Sequence, residues 1–279
     1  MNLVAVNTFL TIVETGSLVR ASERLNVTQS TVTARLKGLE AELGQTLLHR
    51  QKSGVSLTSN GFRFRRYAEG MIDLWRQARQ ETTFPRGVGT VCNLGCHIDL
   101  WPGLGRQMLD EIEKDHPSAV LSAWPGNQVL LEQWLGTGLI DAAITYRITT
   151  HESQTMHTLG EERLIMYSTR PGHLPGADPG YIYVDAGGDF GRRYTAAYSS
   201  EDFARISFGS AVWALEYLLD HGGSAYLPEH LALQPSAAGK LHMVDDAPVF
   251  TRERYLITND KAATGWPWLP GIIDRLVQP

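Results

Sequence analysis

The sequence has no run of about 18 apolar residues, the length that a transmembrane helix requires. Its first residues, MNLVAVNTFLTIVETG, show neither the basic start nor the small-residue cleavage site of a secretory signal. Only 2 cysteines occur among 279 residues, which excludes a disulfide framework. These absences predict a cytoplasmic protein with reduced thiols and no membrane partner.

Common enzyme motifs are missing as well. The chain has no Gly-x-Ser-x-Gly nucleophile elbow, phosphate loop or metal-binding helix motif. Cys92, Cys96 and His97 come closest to a metal or redox site, but no fourth ligand follows at a suitable spacing. In a strand the two cysteines would lie about 13 Å apart, beyond the reach of a disulfide. We therefore predict no catalytic residue, no cofactor and no metal.

The formal net charge of -5 is divided unevenly along the chain. Residues 1–84 hold 11 Lys and Arg against 7 Asp and Glu, a balance of +4. Residues 85–279 hold 14 against 23, a balance of -9. The sum argues against a protein that coats nucleic acid, but the basic N-terminal third can attract phosphates locally.

Three short helices are predicted at the N-terminus. Apolar residues recur at three- and four-residue spacing from Leu3 to Val13, and Gly16 ends this first helix. A second helix follows through RASERL, and Thr28 can cap a third. The predicted buried stripe of the third helix consists of Val32, Leu36, Leu39 and Leu43.

The opposite side of the third helix carries mostly small side chains. Ser30, Ala34 and Lys37 occupy its centre, and Thr31 and Thr33 flank them. Most polar helix faces are simply solvated. This face also suits a recognition helix in a major groove, because small side chains let the backbone approach the DNA. Gln29, beside this face, can then pair with adenine. The pattern alone leaves both interpretations open.

Basic residues and a long helix follow. In LLHRQKSGVSLT a two-stranded wing would bring Arg50 and Lys52 to phosphates. A helix from about Ser59 to Glu81 then has a heptad-like apolar seam. The seam consists of Phe64, Tyr67, Met71, Leu74 and Ala78. It can pack on its own domain, but we predict pairing with a second copy, because little N-terminal core remains to cover it.

The rest of the chain alternates strand-like and helical segments. TVCNLG, AVLSAW and IDAAITY are predicted strands separated by helices, and RLIMYS, YIYVDA, SAYLP and RYLIT repeat the pattern. This alternation predicts βαβ units on a parallel sheet, arranged as two lobes of one α/β domain. Ligands of such sheets lie where strands end and helices begin.

The residues from Phe9 to Gly61, with GSLVRASERLNVTQSTVTARLKGLEAELGQTLLHR and then LTSNG, resemble the winged helix-turn-helix of LysR-type transcriptional regulators. GTGLIDAAI and HGGSAYLPEHLA resemble the effector domain of the same family, and YIYVDAGGDFGRRY is similar to a subgroup related to a flagellar master operon repressor. The resemblance implies an all-α plus α/β chain with a periplasmic-binding-protein-like C-terminal domain.

The implied domains are a winged helix-turn-helix at 1–58, a dimerising linker helix at 59–84 and an effector domain at 85–279. Lobe 1 would span about 88–162 and 255–279, and lobe 2 about 163–254. The implied partners are a double-stranded DNA operator, a second copy in a dimer or tetramer, and RNA polymerase for an activator. The predicted DNA-binding residues are Thr28, Gln29, Ser30, Thr31, Thr33, Arg35, Lys37, Arg50 and Lys52.

A small-molecule effector would lie between the lobes, at strand ends and helix N-termini. Arg147, and one of Arg192 and Arg193, could hold a carboxylate, so a small carboxylate or aromatic acid is the expected effector. The predicted effector-binding residues are Cys96, His97, Ile98, Asp99, Asn127, Gln128, Arg147, Ser168, Phe208, Gly209 and Ser210. For Asp99 the alternative is a helix cap.

The sequence therefore predicts a DNA-binding regulator that responds to a ligand, and not an enzyme. Two alternatives remain. The first is a repressor of the same fold that needs no ligand. The second is an enzyme or solute-binding protein built on the α/β lobes.

Overall fold

The computed structural model describes residues 2–51, 54–82, 90–146, 150–173, 178–187, 189–198 and 204–277. The chain divides into two compact units, Met1–Arg86 and Gly87–Pro279. Within the described ranges, no single helix is long and apolar enough to cross a membrane.

The first unit contains helices, a two-stranded antiparallel wing and one long final helix. Its elements are α1 (Leu3–Thr15), α2 (Leu18–Arg24), α3 (Gln29–Leu43), β1 (Leu48–Gln51), β2 (Gly54–Leu57) and α4 (Ser59–Glu81). Side-chain oxygens of Asn2, Ser17 and Thr28 cap the first three helices by accepting backbone N–H groups. Gly16 and Gly44 end α1 and α3 in the left-handed conformation.

The core of this unit lies between α1 and α3. Phe9 and Ile12 of α1 are fully buried, as is Val32 of α3, and Leu36 and Leu39 are nearly so. Burying each large apolar side chain contributes about 1.5–3 kcal/mol.

One predicted member of the α3 stripe is wrong. Leu43 remains 40% exposed, because it is the last residue of α3 and the chain leaves the core at Gly44.

Hydrogen bonds from backbone N–H groups to side chains fix the wing beside α3 and α4. The Glu40 carboxylate accepts the N–H groups of Leu47 and Leu48 at 2.8 and 3.3 Å. The Thr58 hydroxyl caps α4 by accepting the Gly61 N–H at 2.9 Å. A Cβ on Gly61 would lie 2.0 Å from the Leu47 carbonyl oxygen, so only glycine permits this approach.

The second unit is an α/β structure with one curled mixed sheet. Its strands are β3 (Val91–His97), β4 (Val120–Gly126), β5 (Ala142–Thr145), β6 (Gln154–Ser168), β7 (Tyr181–Val184), β8 (Ile206–Phe208), β9 (Ser224–Pro228), β10 (His242–Met243) and β11 (Phe250–Asn259). Its described α-helices are α5 (Arg106–Asp115), α6 (Gln128–Thr137), α7 (Phe190–Ala197), α8 (Ala211–His221), α9 (Glu229–Ala237), α10 (Asp260–Ala263) and α11 (Leu269–Val277), and a short 3-10 turn at Ile98–Leu100 and a π turn at Trp101–Gly105 precede α5.

The strand order is β4-β3-β5-β11-β6-β9-β7-β8, and β10 pairs with β6. β3 pairs in parallel with β4 and β5 in lobe 1, and β7 pairs in parallel with β8 and β9 in lobe 2, as the βαβ pattern predicts. β6 and β11 are antiparallel to each other and connect the two lobes.

Both connecting strands are longer than predicted. β6 begins at Gln154, nine positions before the predicted start at Arg163, and β11 begins at Phe250 instead of Arg254. The N-terminal parts of β6 and β11 carry charged residues, so the sequence pattern did not identify them as strands. The two lobes consequently share a pair of continuous strands at the floor of the cleft.

Candidate functional site

The outer face of α3 is exposed as predicted. Gln29, Ser30, Ala34 and Lys37 are all exposed, while Thr31, Thr33 and Arg35 are half-buried. The face therefore presents one amide, small groups and one cation to solvent.

Hydroxyl groups at the start of α3 are hydrogen-bonded to one another. The Thr28 hydroxyl lies 2.8 Å from the hydroxyls of both Ser30 and Thr31, and it accepts the Thr31 N–H at 3.2 Å. Thr28 therefore acts first as the helix cap, and it holds the two neighbouring hydroxyls in place. The predicted phosphate contacts of the wing lie outside the described residues, because neither Lys52 nor the side chain of Arg50 is described.

The predicted seam of α4 needs one correction. Phe64 packs against Phe9, with ring centroids 5.4 Å apart, and so belongs to the core of its own unit. Tyr67 and Leu74 are exposed, and Met71 and Ala78 are half-buried. Trp75, which the heptad pattern missed, is 52% exposed next to Leu74. The uncovered apolar stripe of α4 is Tyr67, Met71, Leu74, Trp75 and Ala78.

A cavity of about 130 Å³ lies between the two lobes. Lobe 1 contributes His97, Gln128 and Tyr146. The connecting strands and lobe 2 contribute Leu164, Asp185, Ala186, Gly187, Asp189, Phe190, Arg193, Phe250, Thr251 and Arg252. Of the predicted effector residues, His97 and Gln128 line this cavity.

The alternation of side chains along β3 places His97 on a different face of the sheet from Cys96. β3 continues through His97, so Cys96 faces the core of lobe 1 while His97 faces the cleft. Cys96 and Ile98 instead line a second, apolar cavity of about 250 Å³ beside Trp101 and Trp124. The prediction that Cys96 and Ile98 line the cleft is therefore wrong, because the sequence pattern ended the strand too early.

Asp99 and Ser210, both predicted to bind the effector, bind each other across the lobes. The Ser210 hydroxyl donates to Asp99 Oδ1 at 2.7 Å, and the Val212 N–H donates to the same oxygen at 3.2 Å. Both residues are buried, at 2% and 4% exposure. Asp99 is indeed a helix cap, but of α8 in the opposite lobe. Phe208 and Gly209, which lead into this filled helix end, do not line the cavity.

A second contact between lobes is centred on Glu162. Its carboxylate is paired with Arg252, 2.7 Å away, and with His230 Nδ1, 3.0 Å away. The other nitrogen of His230 donates to the Asp99 carbonyl oxygen at 3.0 Å. Burial opposes the charged form of Glu162, but His230 and Arg252 outweigh burial and lower the pKa of this carboxyl.

Aromatic contacts complete the lobe 1 wall. The guanidinium of Arg252 lies 3.4 Å from the centre of the Tyr146 ring. The His97 ring contacts the same tyrosine edge-on, with ring centroids 4.9 Å apart. The Asp99 N–H donates to His97 Nδ1 at 3.3 Å. Burial lowers the pKa of His97, with Asp99 opposing, so this ring is neutral near pH 7.

The remaining predicted residues have structural roles or are not described. Asn127 caps α6 by accepting the Leu130 N–H at 3.0 Å. Ser168 is fully buried at the far end of β6, where it donates to the Gly223 carbonyl at 3.3 Å. It misses the cleft because β6 runs antiparallel to β9, so the C-terminal end of β6 lies beside the N-terminal end of β9, away from the cleft. Arg147 lies outside the described residues.

Gln128 is held by its neighbours. The Thr145 hydroxyl donates to its side-chain oxygen at 2.6 Å, and its amide nitrogen donates to Glu132. Of the two adjacent arginines, Arg193 lines the cavity and Arg192 is exposed elsewhere, as predicted for neighbouring residues of one helix.

Most of the cavity wall was missed from the sequence. Phe250, Thr251 and Arg252 belong to the unrecognised first half of β11. Asp185 and Asp189 both precede α7, in the segment YIYVDAGGDFGRRY. The polar residues that follow a predicted strand were the available signal for the two aspartates.

The two cysteines are buried in the lobe 1 core and form no disulfide with each other. Burial raises the pKa of Cys96 to about 12, and it raises the pKa of Cys92 as well. Thiols of this kind do not react readily. Among the described residues, no group of three or more His, Cys, Asp and Glu side chains is placed to hold a metal ion.

Comparisons with known proteins bear on both units. Residues 3–62 match a family model described as bacterial regulatory helix-turn-helix protein, lysR family. The HTH-type transcriptional regulator HdfR of Escherichia coli O17:K52:H18 (strain UMN026 / ExPEC) is 27% identical over 260 residues, which cover 92% of this chain and 91% of HdfR.

Solved structures share the fold over the whole length. CbnR, a LysR family transcriptional regulator, gives a TM-score of 0.72 at 16% identity and is covered completely, as is this chain. DarR of Vibrio fischeri, solved in complex with DNA, gives 0.56 at 18% identity over 96% of this chain and 98% of DarR. The predicted fold class is confirmed: a helix-turn-helix domain followed by a two-lobed α/β domain. These relatives are transcriptional regulators, not enzymes.

Proposed function

The chain belongs to the LysR-type family of transcriptional regulators, and from this premise we propose that α3 enters the major groove of an operator. The supporting observation is the exposed face of α3. Its small side chains let the helix backbone approach base edges, and Gln29 at its start can make two hydrogen bonds to adenine. The joined hydroxyls of Thr28, Ser30 and Thr31 are already ordered, so little conformational freedom is lost when they meet DNA.

Phosphate contacts would come from around this face. Lys37 is exposed on α3, and the wing carries Arg50 and Lys52 in its sequence. The balance of +4 over residues 1–84 supports local attraction to DNA despite the net charge of the chain. A target on chromosomal DNA is consistent with the expected cytoplasmic location.

The uncovered apolar stripe of α4 supports a homodimer. Tyr67, Leu74 and Trp75 expose 53%, 40% and 52% of their surfaces, which is costly for a helix that faces only water. Pairing of two α4 helices would cover them and give the dimer the two-fold symmetry of a partly palindromic operator. A tetramer, contact with RNA polymerase and the flagellar-repressor subgroup stay predictions.

The cavity between the lobes is the proposed effector site. A ligand there contacts both lobes and the two connecting strands, so it can bind two lobe arrangements with different affinity. That difference is what a regulator needs to convert binding into a change of DNA occupancy.

One observation favours a second candidate, regulation without a ligand. The Asp99 carboxylate occupies the N-terminus of α8, so a contact within the chain itself joins the lobes. In this alternative the cleft would be a structural joint only.

The DNA-binding proposal is tested with two variants of the full chain. Fluorescence anisotropy would measure Kd for a panel of unrelated duplexes over a range of salt concentrations. Gln29→Ala should change the order of preference among duplexes and leave the salt slope unchanged. Arg50→Ala should weaken binding to all of them and reduce the slope by about one. Identical behaviour of the two variants would contradict the division between base and phosphate contacts.

A further inference from the structure

The anion-binding positions of the cleft are already filled from within the chain. The N-terminus of α8 would attract an anion, but the Asp99 carboxylate accepts hydrogen bonds from Ser210 and Val212 there. Arg252 points its guanidinium at Glu162, which neutralises it. His97, which lines the cavity from lobe 1, is neutral near pH 7 because burial lowers its pKa.

Two carboxylates of the cavity wall have no cationic partner among the described residues. Asp185 accepts the Gly187 N–H at 3.0 Å and makes no ion pair in the described part of the chain. Asp189 precedes α7 but makes no side-chain capping bond. Both residues are exposed and line the cavity.

Arg193 is the remaining cation of the described wall, and its groups are partly engaged. One of its nitrogens donates to the Thr251 carbonyl at 3.0 Å, and its guanidinium lies 5.2 Å from the centre of the Phe250 ring. In the described wall, the charged groups that have no oppositely charged partner are therefore the carboxylates of Asp185 and Asp189 and the guanidinium of Arg193. Leu164, Phe190 and Phe250 supply apolar surface between them.

We infer that the cleft binds a small molecule with a primary ammonium group on an apolar or aromatic body, the ammonium group facing Asp185 and Asp189. This inference rests on the proposed function, and it replaces the expected carboxylate with a ligand of opposite charge. A ligand that covers these two carboxylates removes their hydrating water, which is unfavourable unless the ligand supplies a cation. A bound ammonium group supplies that cation, and an aromatic wall attracts it further.

Calorimetric titration of the full-length chain tests the charge of the ligand with matched probes. The amines are 2-phenylethylamine and butylamine, and the carboxylates are 3-phenylpropionate and butyrate. The amines should bind and the carboxylates should not. Asp185→Asn and Asp189→Asn should each weaken amine binding about tenfold. Asp245→Asn, an exposed aspartate of lobe 2 outside the cavity, is the matched control and should bind like the wild type.

Three results would overturn the inference. The first is a carboxylate that binds and loses its affinity in Arg147→Ala or Arg193→Ala. The second is amine binding that is the same in both aspartate variants as in the control. The third is no binding of either amine. DNA binding, measured by anisotropy on the same preparations, separates the two proposals: if it persists, only the ligand class fails, and if it is absent, the regulator proposal itself fails.

Discussion

The contact between Asp99 and Ser210 should hold the two lobes together in the absence of ligand. The Ser210 hydroxyl meets Asp99 Oδ1 at 2.7 Å, and both residues are almost fully buried. A hydrogen bond to a charged group contributes about 1.5–3 kcal/mol. Ser210→Ala also removes a weak cap, since its oxygen accepts the Trp213 N–H at 3.5 Å. We expect Ser210→Ala to lower the free energy of local opening by about 2 kcal/mol.

Hydrogen exchange of the Val212 amide reports this opening directly, because its N–H donates to the same Asp99 oxygen at 3.2 Å. A loss of about 2 kcal/mol corresponds to roughly 30-fold faster exchange. Ser207→Ala, an exposed serine of the preceding strand, is the matched control and should leave the rate unchanged.

A double-mutant cycle isolates the pair. Asp99→Ala and Ser210→Ala, alone and together, should give a coupling of about 1–3 kcal/mol between the two side chains. A coupling near zero, with Val212 exchanging equally fast in all variants, would refute the idea that this contact joins the lobes.

Two further predictions concern pH and packing. The lowered pKa of Glu162 means that its pairing stabilises the fold above its ordinary pKa of about 4.5 and that this stability is lost as pH falls through the lower folded value. Glu162→Gln should therefore cost about 3 kcal/mol at pH 7, and thermal melts should show the gap to wild type closing toward pH 3; a gap independent of pH would contradict the pairing. Gly61→Ala should destabilise the first unit by at least about 2 kcal/mol, because its Cβ would meet the Leu47 carbonyl. Gly38→Ala, where a Cβ meets nothing within 4 Å, should instead stabilise α3 by about 0.5–1 kcal/mol, and equal melting shifts for the two would count against the packing argument.

The sequence predicted the first unit well because its signals are local. Helix caps such as Thr28, the glycine stop at Gly44 and the apolar spacing on α3 all act within a few residues. Phe64 was assigned wrongly to the dimer seam because a heptad pattern does not say which surface covers it. Its partner, Phe9, is far away in sequence.

The cleft was predicted less well because it depends on the phase and direction of strands. β3 extends through Cys96 and His97, which were predicted to lie in a loop. Because side chains alternate along a strand, Cys96 faces away from the cleft and His97 faces it. The antiparallel course of β6 places Ser168 beside the N-terminal end of β9, away from the cleft. The Asp99–Ser210 contact joins positions 111 apart, which no local pattern reveals. Loop positions after strands nevertheless identified Asp99 and Ser210 as special, although their role is to bind each other.

We propose that this chain recognises operator DNA through α3 as a symmetric dimer. Selection of binding sites by the purified full-length chain from a randomised duplex library tests it most directly. We expect enrichment of a partly palindromic motif, with half-sites about one or more helical turns apart, and Gln29→Ala should change the base preference at symmetric positions. Recovery of no sequence motif, or of the same motif by Gln29→Ala and wild type, would contradict it.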